Sequence, residues 1–147
     1  MSFFFERLTV YQKALEWVRV VERMLRAQGQ ECSRALADEL SRAALAIPLN
    51  IARGAGSWRL EEKRRFYLVS RSAIFQCVGV LKVLRDEGSL SAELFDEAYA
   101  QLETLSKLMT GMLSANSARE GASTRGLGAR RALDTKLADS RGVGHPS

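Results

Sequence analysis

Apolar side chains recur along the first 115 residues at intervals of three and four, the spacing of helices that each bury one face. From about Leu8 to Gln28, the positions Val10, Ala14, Trp17, Val18, Val21 and Leu25 fall on one stripe. Gln28-Gly29-Gln30 closes this segment, with Gly29 as the expected C-terminal stop. A second stripe follows Ser33, a residue suited to an N-cap, and comprises Leu36, Leu40, Ala43, Ala44, Ile47 and Ile51. Pro48 interrupts it. A proline inside a helix removes one backbone hydrogen bond and costs about 3 kcal/mol. The stripe nevertheless runs on to Ile51, which predicts a kinked helix reaching about Gly54, followed by the connection Gly54-Ala55-Gly56-Ser57. The third segment spans about Leu60 to Asp86 on the line Phe66, Val69, Ala73, Cys77, Val80 and Leu84, widened by Ile74 and Leu81, and stops at Glu87-Gly88. The fourth starts after Ser91, another N-cap candidate, and carries Leu94, Ala98, Leu102, Leu105, Met109 and Met112 before fading by Ser114. No segment alternates with a period of two, and no Asn-Gly or Asp-Gly hairpin signal occurs. Four long helices with short connections predict an all-α, antiparallel up-down-up-down four-helix bundle over residues 1–115.

Beyond residue 115 the pattern fails. Residues 116–147 hold five of the eleven glycines, no aromatic residue and no Ile or Met. So few apolar groups cannot offset a backbone ordering cost of roughly 1–2 kcal/mol per residue, so a disordered C-terminal tail is expected, with a fraying helical stretch around Arg130–Ala138. Composition adds little to the fold: 147 residues, 46% of them hydrophobic, suit one globular domain with an appendage. Two cysteines exclude a disulfide scaffold. No window of about 18 uncharged apolar residues exists, so no membrane span is expected, and a reducing cytoplasm is the expected compartment.

The net charge of +5 points toward polyanions only if it is concentrated. The tail carries six basic against three acidic residues, and residues 1–115 carry 16 against 14. Within the bundle, Arg53, Arg59, Lys63, Arg64 and Arg65 gather at the junction of helices two and three, with Trp58, Phe66 and Tyr67 interleaved. Cations beside aromatic rings suit nucleic-acid backbones and unstacked bases. Against this stands a local reading: Glu61 and Glu62 follow Arg59 and have the order to pair with the basic residues along the helix surface, Glu61 with Arg65. Asn50, polar within the second stripe, is suited to hydrogen-bond backbone groups freed by Pro48.

Catalytic chemistry has little to work with. His145, the one histidine, lies in the tail, so neither a Ser-His-Asp nor a Cys-His arrangement is expected. Cys32 and Cys77 stand apart, no Glu-x-x-His pair occurs, and Gly54-Ala55-Gly56 lacks the Lys-Ser/Thr of a phosphate loop. No catalytic residue, metal, cofactor or small-molecule substrate is implied.

Phe5-Glu6-Arg7-Leu8-Thr9-Val10-Tyr11-Gln12-Lys13-Ala14 resembles the opening F-x-x-L-x-V-[WY]-x-x-A of the four helix bundle protein family, also called the 23S rRNA-intervening-sequence protein family. Leu40 to Gly54 is similar to its central R-R-A-A-x-S-I-P-x-N-I-A-E-G, with Pro48, Asn50 and Gly54 matching, and Phe66-Tyr67-Leu68-Val69-Ser70-Arg71 is similar to its F-L-x-I-A-R. The resemblance covers roughly residues 3–113. It implies a small bacterial bundle, kinked at Pro48, of a family whose members are typically homopentamers without established biochemical activity. Some are encoded within insertions of the large ribosomal RNA gene; a related group of basic pentamers binds nucleic acid as accessory to a reverse transcriptase. Two positions depart from the pattern: Arg53 and Gln76 stand where the family usually has Glu. The expectation is therefore a non-catalytic, self-associating interaction or scaffolding protein, with apolar surplus at Leu68, Leu90 and Phe95 available for an oligomer face. RNA binding at the basic junction and tail is the alternative, and RNA or a protein the expected partner.

Overall fold

The computed structural model describes residues 2–28 and 32–141. It consists of a short 3-10 turn, Phe4–Arg7, and four helices: α1 (Thr9–Gln28), α2 (Arg34–Ala55), α3 (Leu60–Asp86) and α4 (Ala92–Arg141). No strand occurs among the described residues. Each helix packs on its neighbours in sequence, and α1 also meets α4, closing the bundle. Cross-contacts fix the directions. Gln76 of α3 hydrogen-bonds Glu39 near the start of α2, whereas Ser70 Oγ donates to the Ile47 carbonyl at 3.0 Å further along, so α2 and α3 run antiparallel. The Arg85 guanidinium lies 4.3 Å from the ring centroid of Phe95, while Asn116 Nδ2 donates to the Leu60 carbonyl at 3.0 Å, so α3 and α4 are antiparallel as well.

The core is built from the stripes. Ala14, Trp17, Val21, Leu40, Ile47, Ile51, Ile74, Cys77, Leu81, Leu102, Leu105 and Met109 are essentially inaccessible. The N-terminal half of α3 is rotated from the expected line: Tyr67, Ser70 and Ile74 face inward, Phe66 is half-buried, and Val69 is 46% exposed. In α4, Phe95 is buried and its neighbour Leu94 exposed. Leu90 and Phe95 are thus core residues rather than surplus, which leaves only Leu68 of that trio on the surface.

The helix ends follow local chemistry. Ser91 Oγ accepts the Leu94 N–H at 3.2 Å, a true N-cap, whereas the Ser33 side chain makes no such bond. At the end of α3, Gly88 takes φ 83°, and the Ser89 N–H reaches the Leu84 carbonyl at 2.9 Å. This is the left-handed stop that favours glycine. The expected stop at Gly29 lies outside the described residues.

Pro48 sits inside a continuous α2. It leaves the Ala44 carbonyl without its backbone donor. Asn50 does not answer that group: its Nδ2 donates to the Ala46 carbonyl at 2.7 Å, one turn before Asn50 itself. Ile47 O accepts the Ser70 hydroxyl, so two carbonyls beside the proline receive side-chain donors.

One expectation needs correction. The disorder expected from residue 116 is replaced by helix as far as Arg141, making α4 50 residues long. A nucleated helix gains one hydrogen bond for each residue it fixes, and Ala, Arg, Leu and Lys favour the helical state. Asn116 is the last buried residue among those whose burial is described; Leu127, Leu133 and Leu137 are all more than half exposed. His145 lies outside the described residues. In addition, α3 is by length and composition apolar enough to cross a membrane, its best window having mean hydropathy 1.4, although it contains charges. In the fold that helix supplies a large share of the bundle core: eight of its residues are buried against the other helices.

Candidate functional site

The basic residues of the helix two–three junction have different surroundings. Arg53 is exposed on the last turn of α2, and Arg59 is exposed as the residue preceding α3. Between them the Trp58 ring is 98% exposed. Arg65 is exposed and lies 5.5 Å from the centroid of the Phe66 ring. Arg59 and Arg65 line a shallow hollow together with Glu61 and Glu62, which dilutes the positive charge there. The expected Glu61–Arg65 ion pair is absent; the ion pairs among the described residues are Lys13–Glu16, Glu22–Arg26, Glu39–Arg42 and Arg85–Asp86.

Two of the five basic residues have structural work. Lys63 Nζ donates to the Gly54 carbonyl at 3.2 Å and to the Ala55 carbonyl at 3.0 Å. Both lie at the negative end of α2, where the Gly54 carbonyl also accepts the Ser57 N–H at 3.1 Å, so Lys63 caps that helix from the first turn of the next one. Burial lowers the Lys63 pKa, and the nearby Arg119 guanidinium lowers it further. Arg64 hydrogen-bonds the Ser117 hydroxyl and so ties α3 to α4. Tyr67 is 6% exposed and belongs to the core rather than to a stacking surface. Its ring fills the space beside Gly54: a Cβ on residue 54 would lie 2.6 Å from Tyr67 Cδ1. Gly54 is therefore required for the approach of α2 to α3, not for a phosphate loop.

The structure also assembles what sequence separation hides. Arg119 of α4 and Phe4 of the 3-10 turn share a cleft of about 210 Å³ with Lys63, Tyr67 and Asn116. Phe3 and Phe4 are both more than 70% exposed. Nothing local in the sequence signals this cluster, because its members come from three distant segments.

Along α2 and α3, six large apolar residues face solvent: Leu45, Leu49, Leu68, Val69, Phe75 and Val83, each between 41% and 52% exposed. Leu68, Ser72, Phe75 and Gly79 step by four, three and four along α3, and a Cβ at Gly79 would meet nothing within 4 Å. Such a seam of large and small residues is one that another helix can approach closely. Gln76 lies beside it and hydrogen-bonds Glu39; a carboxylate at position 76 would face a like charge there.

The arrangement defines a class: an all-α bundle in which no cluster of three or more His, Cys, Asp or Glu among the described residues could hold a metal. Its two conspicuous surfaces are apolar and basic. Residues 6–111 match the model of the 23S rRNA-intervening sequence protein family, and the chain belongs to that family. It is also similar to the crystal structure of a protein of unknown function from the S23 ribosomal protein family of Bacteroides thetaiotaomicron, with TM-score 0.67 and 14% identity over 71% of this chain and 98% of that one. No curated protein matches the chain. The family has no established function, and none of these likenesses indicates a catalytic role.

Proposed function

We propose that this protein is a non-catalytic cytoplasmic bundle that associates with copies of itself through the outer face of α2 and α3, acting as an interaction or scaffolding protein. The observation that carries this reading is the apolar seam of Leu68, Phe75 and their neighbours Leu45, Leu49, Val69 and Val83. Burying such a surface releases roughly 25 cal/mol per Å² of apolar area, which favours a homotypic contact of modest size. The family resemblance supports a pentamer. Light scattering at micromolar concentration tests it: the expected mass is a multiple of 16.3 kDa. Leu49→Glu with Phe75→Glu is expected to give a folded monomer. A monomeric wild-type protein overturns the reading.

A second reading is RNA binding at the junction, favoured by the fully exposed Trp58 ring between Arg53 and Arg59. Self-association would multiply weak sites by avidity. Retardation of single-stranded RNA is expected to fall with salt and to be lost in Arg53→Ala/Trp58→Ala/Arg59→Ala. Binding carried by the extension of α4 would instead be lost on removing residues 118–147. No retardation by the wild-type protein at low salt overturns both forms.

A further inference from the structure

Lys63 and Arg119 bring two positive charges to one recess. Neither forms an ion pair with any described residue. Beyond the effect of burial, Arg119 lowers the Lys63 pKa, and it also opposes the rise that burial imposes on the Tyr67 hydroxyl. Like charges held close together are costly, and a bound anion lowers the cost. Lys63 is pinned by the Gly54 and Ala55 carbonyls, which fixes its ammonium with one of three donor hydrogens to spare. Arg119 carries a planar fork of donors and Tyr67 a hydroxyl, and both line the recess with Lys63, so three side chains of α3 and α4 with donor groups meet there. That set matches an anion with several oxygens better than a planar carboxylate, which needs only one fork. The remaining wall is Asn116 and apolar residues, including Met112 and the largely exposed ring of Phe4. A cleft of about 210 Å³ admits the anionic group but not a whole nucleotide, so an attached base stays outside, where the Phe4 ring offers a stacking surface.

We infer that the cleft walled by Lys63, Tyr67 and Arg119, with Phe4 at its rim, binds the phosphate of a nucleotide. The inference deepens the RNA reading but stands on side chains other than Arg53, Trp58 and Arg59. Free nucleotide and the terminal phosphate of an RNA strand present the same chemistry to these donors.

Titration calorimetry on the full chain separates the sources, using inorganic phosphate, AMP and a short oligoribonucleotide with and without a 5′-phosphate. Arg119→Ala is the key variant, because Arg119 is exposed and its loss leaves the α2 cap in place. Affinity for AMP is expected to drop by about tenfold, as for loss of one charge-assisted contact, with an unchanged melting temperature and partial rescue by Arg119→Lys. Phe4→Ala is expected to weaken AMP and leave inorganic phosphate unaffected. Preference for the 5′-phosphorylated strand over AMP assigns the site to an RNA end, and equal affinity assigns it to a free nucleotide. Arg53→Ala/Trp58→Ala/Arg59→Ala is expected to leave AMP binding intact, so failure of the junction reading does not touch this one. Equal AMP affinity in wild type and Arg119→Ala, or no heat with any of the four probes, overturns the inference.

Discussion

Gly54 holds α2 against α3 because it has no side chain. A methyl group there would press into the Tyr67 ring, which is enclosed by the core. Gly54→Ala is expected to cost about 1–3 kcal/mol by overpacking, read as a lower urea midpoint with an unchanged slope. Cys77 supplies a second residue-scale test. Burial raises its thiol from an ordinary 9.0 to about 11, and the Trp17 indole opposes part of the rise even though its buried Nε1–H makes no hydrogen bond of proper geometry. The folded state therefore keeps the proton longer than the unfolded state. Stability from this group is fully present below pH 9 and is lost as pH rises from 9 toward 11, by on the order of 2 kcal/mol. A thiol reagent is expected to modify half-buried Cys32 in the native protein and Cys77 only on unfolding.

At the scale of elements, the bundle depends on contacts that tie one helix end to another. Lys63→Met keeps the aliphatic stem of the side chain but removes the donors to Gly54 and Ala55. The expected loss is about 1 kcal/mol in thermal or urea unfolding, because the Ala55 carbonyl loses its partner while the Gly54 carbonyl keeps the Ser57 N–H. Removing residues 118–147 is expected to leave the melting temperature within experimental error, since Asn116 is the last residue of α4 described as buried. Helical periodicity located all four helices, because amphipathic stripes record which face is buried. It placed α1 and the core of α2 closely. It misassigned the start of α3, where apolar residues occupy both faces and Val69 and Tyr67 are equal candidates for the core. The junction cations were visible as a run of basic letters, but their roles were not. Whether a lysine faces solvent or caps the preceding helix depends on where the chain turns, and Arg119 reaches the same cleft from a separate helix. The extension of α4 was missed for another reason: composition reports how little it can bury, whereas helix can continue along a chain without burial once begun.

At the scale of the molecule, opposite features occupy different regions. The apolar seam runs along α2 and α3, while the phosphate cleft lies where the 3-10 turn, the start of α3 and the middle of α4 converge. The charge pair Leu49→Glu/Phe75→Glu and the cleft variant Arg119→Ala are therefore expected to act independently, the first on solution mass and the second on AMP affinity, with additive effects in the combined variant. From the same end continues the part of α4 whose described residues beyond Gly121 are exposed. At 1.5 Å per residue, the stretch from Asn116 to Arg141 reaches about 38 Å, and it shares one backbone with the core residues Leu102, Leu105 and Met109. It acts as a lever. A tilt of α4 by about 10° within the bundle sweeps its tip by roughly 7 Å. A small repacking of the core is thereby converted into a displacement large enough to be followed as a distance change between a label near the tip and one on the bundle.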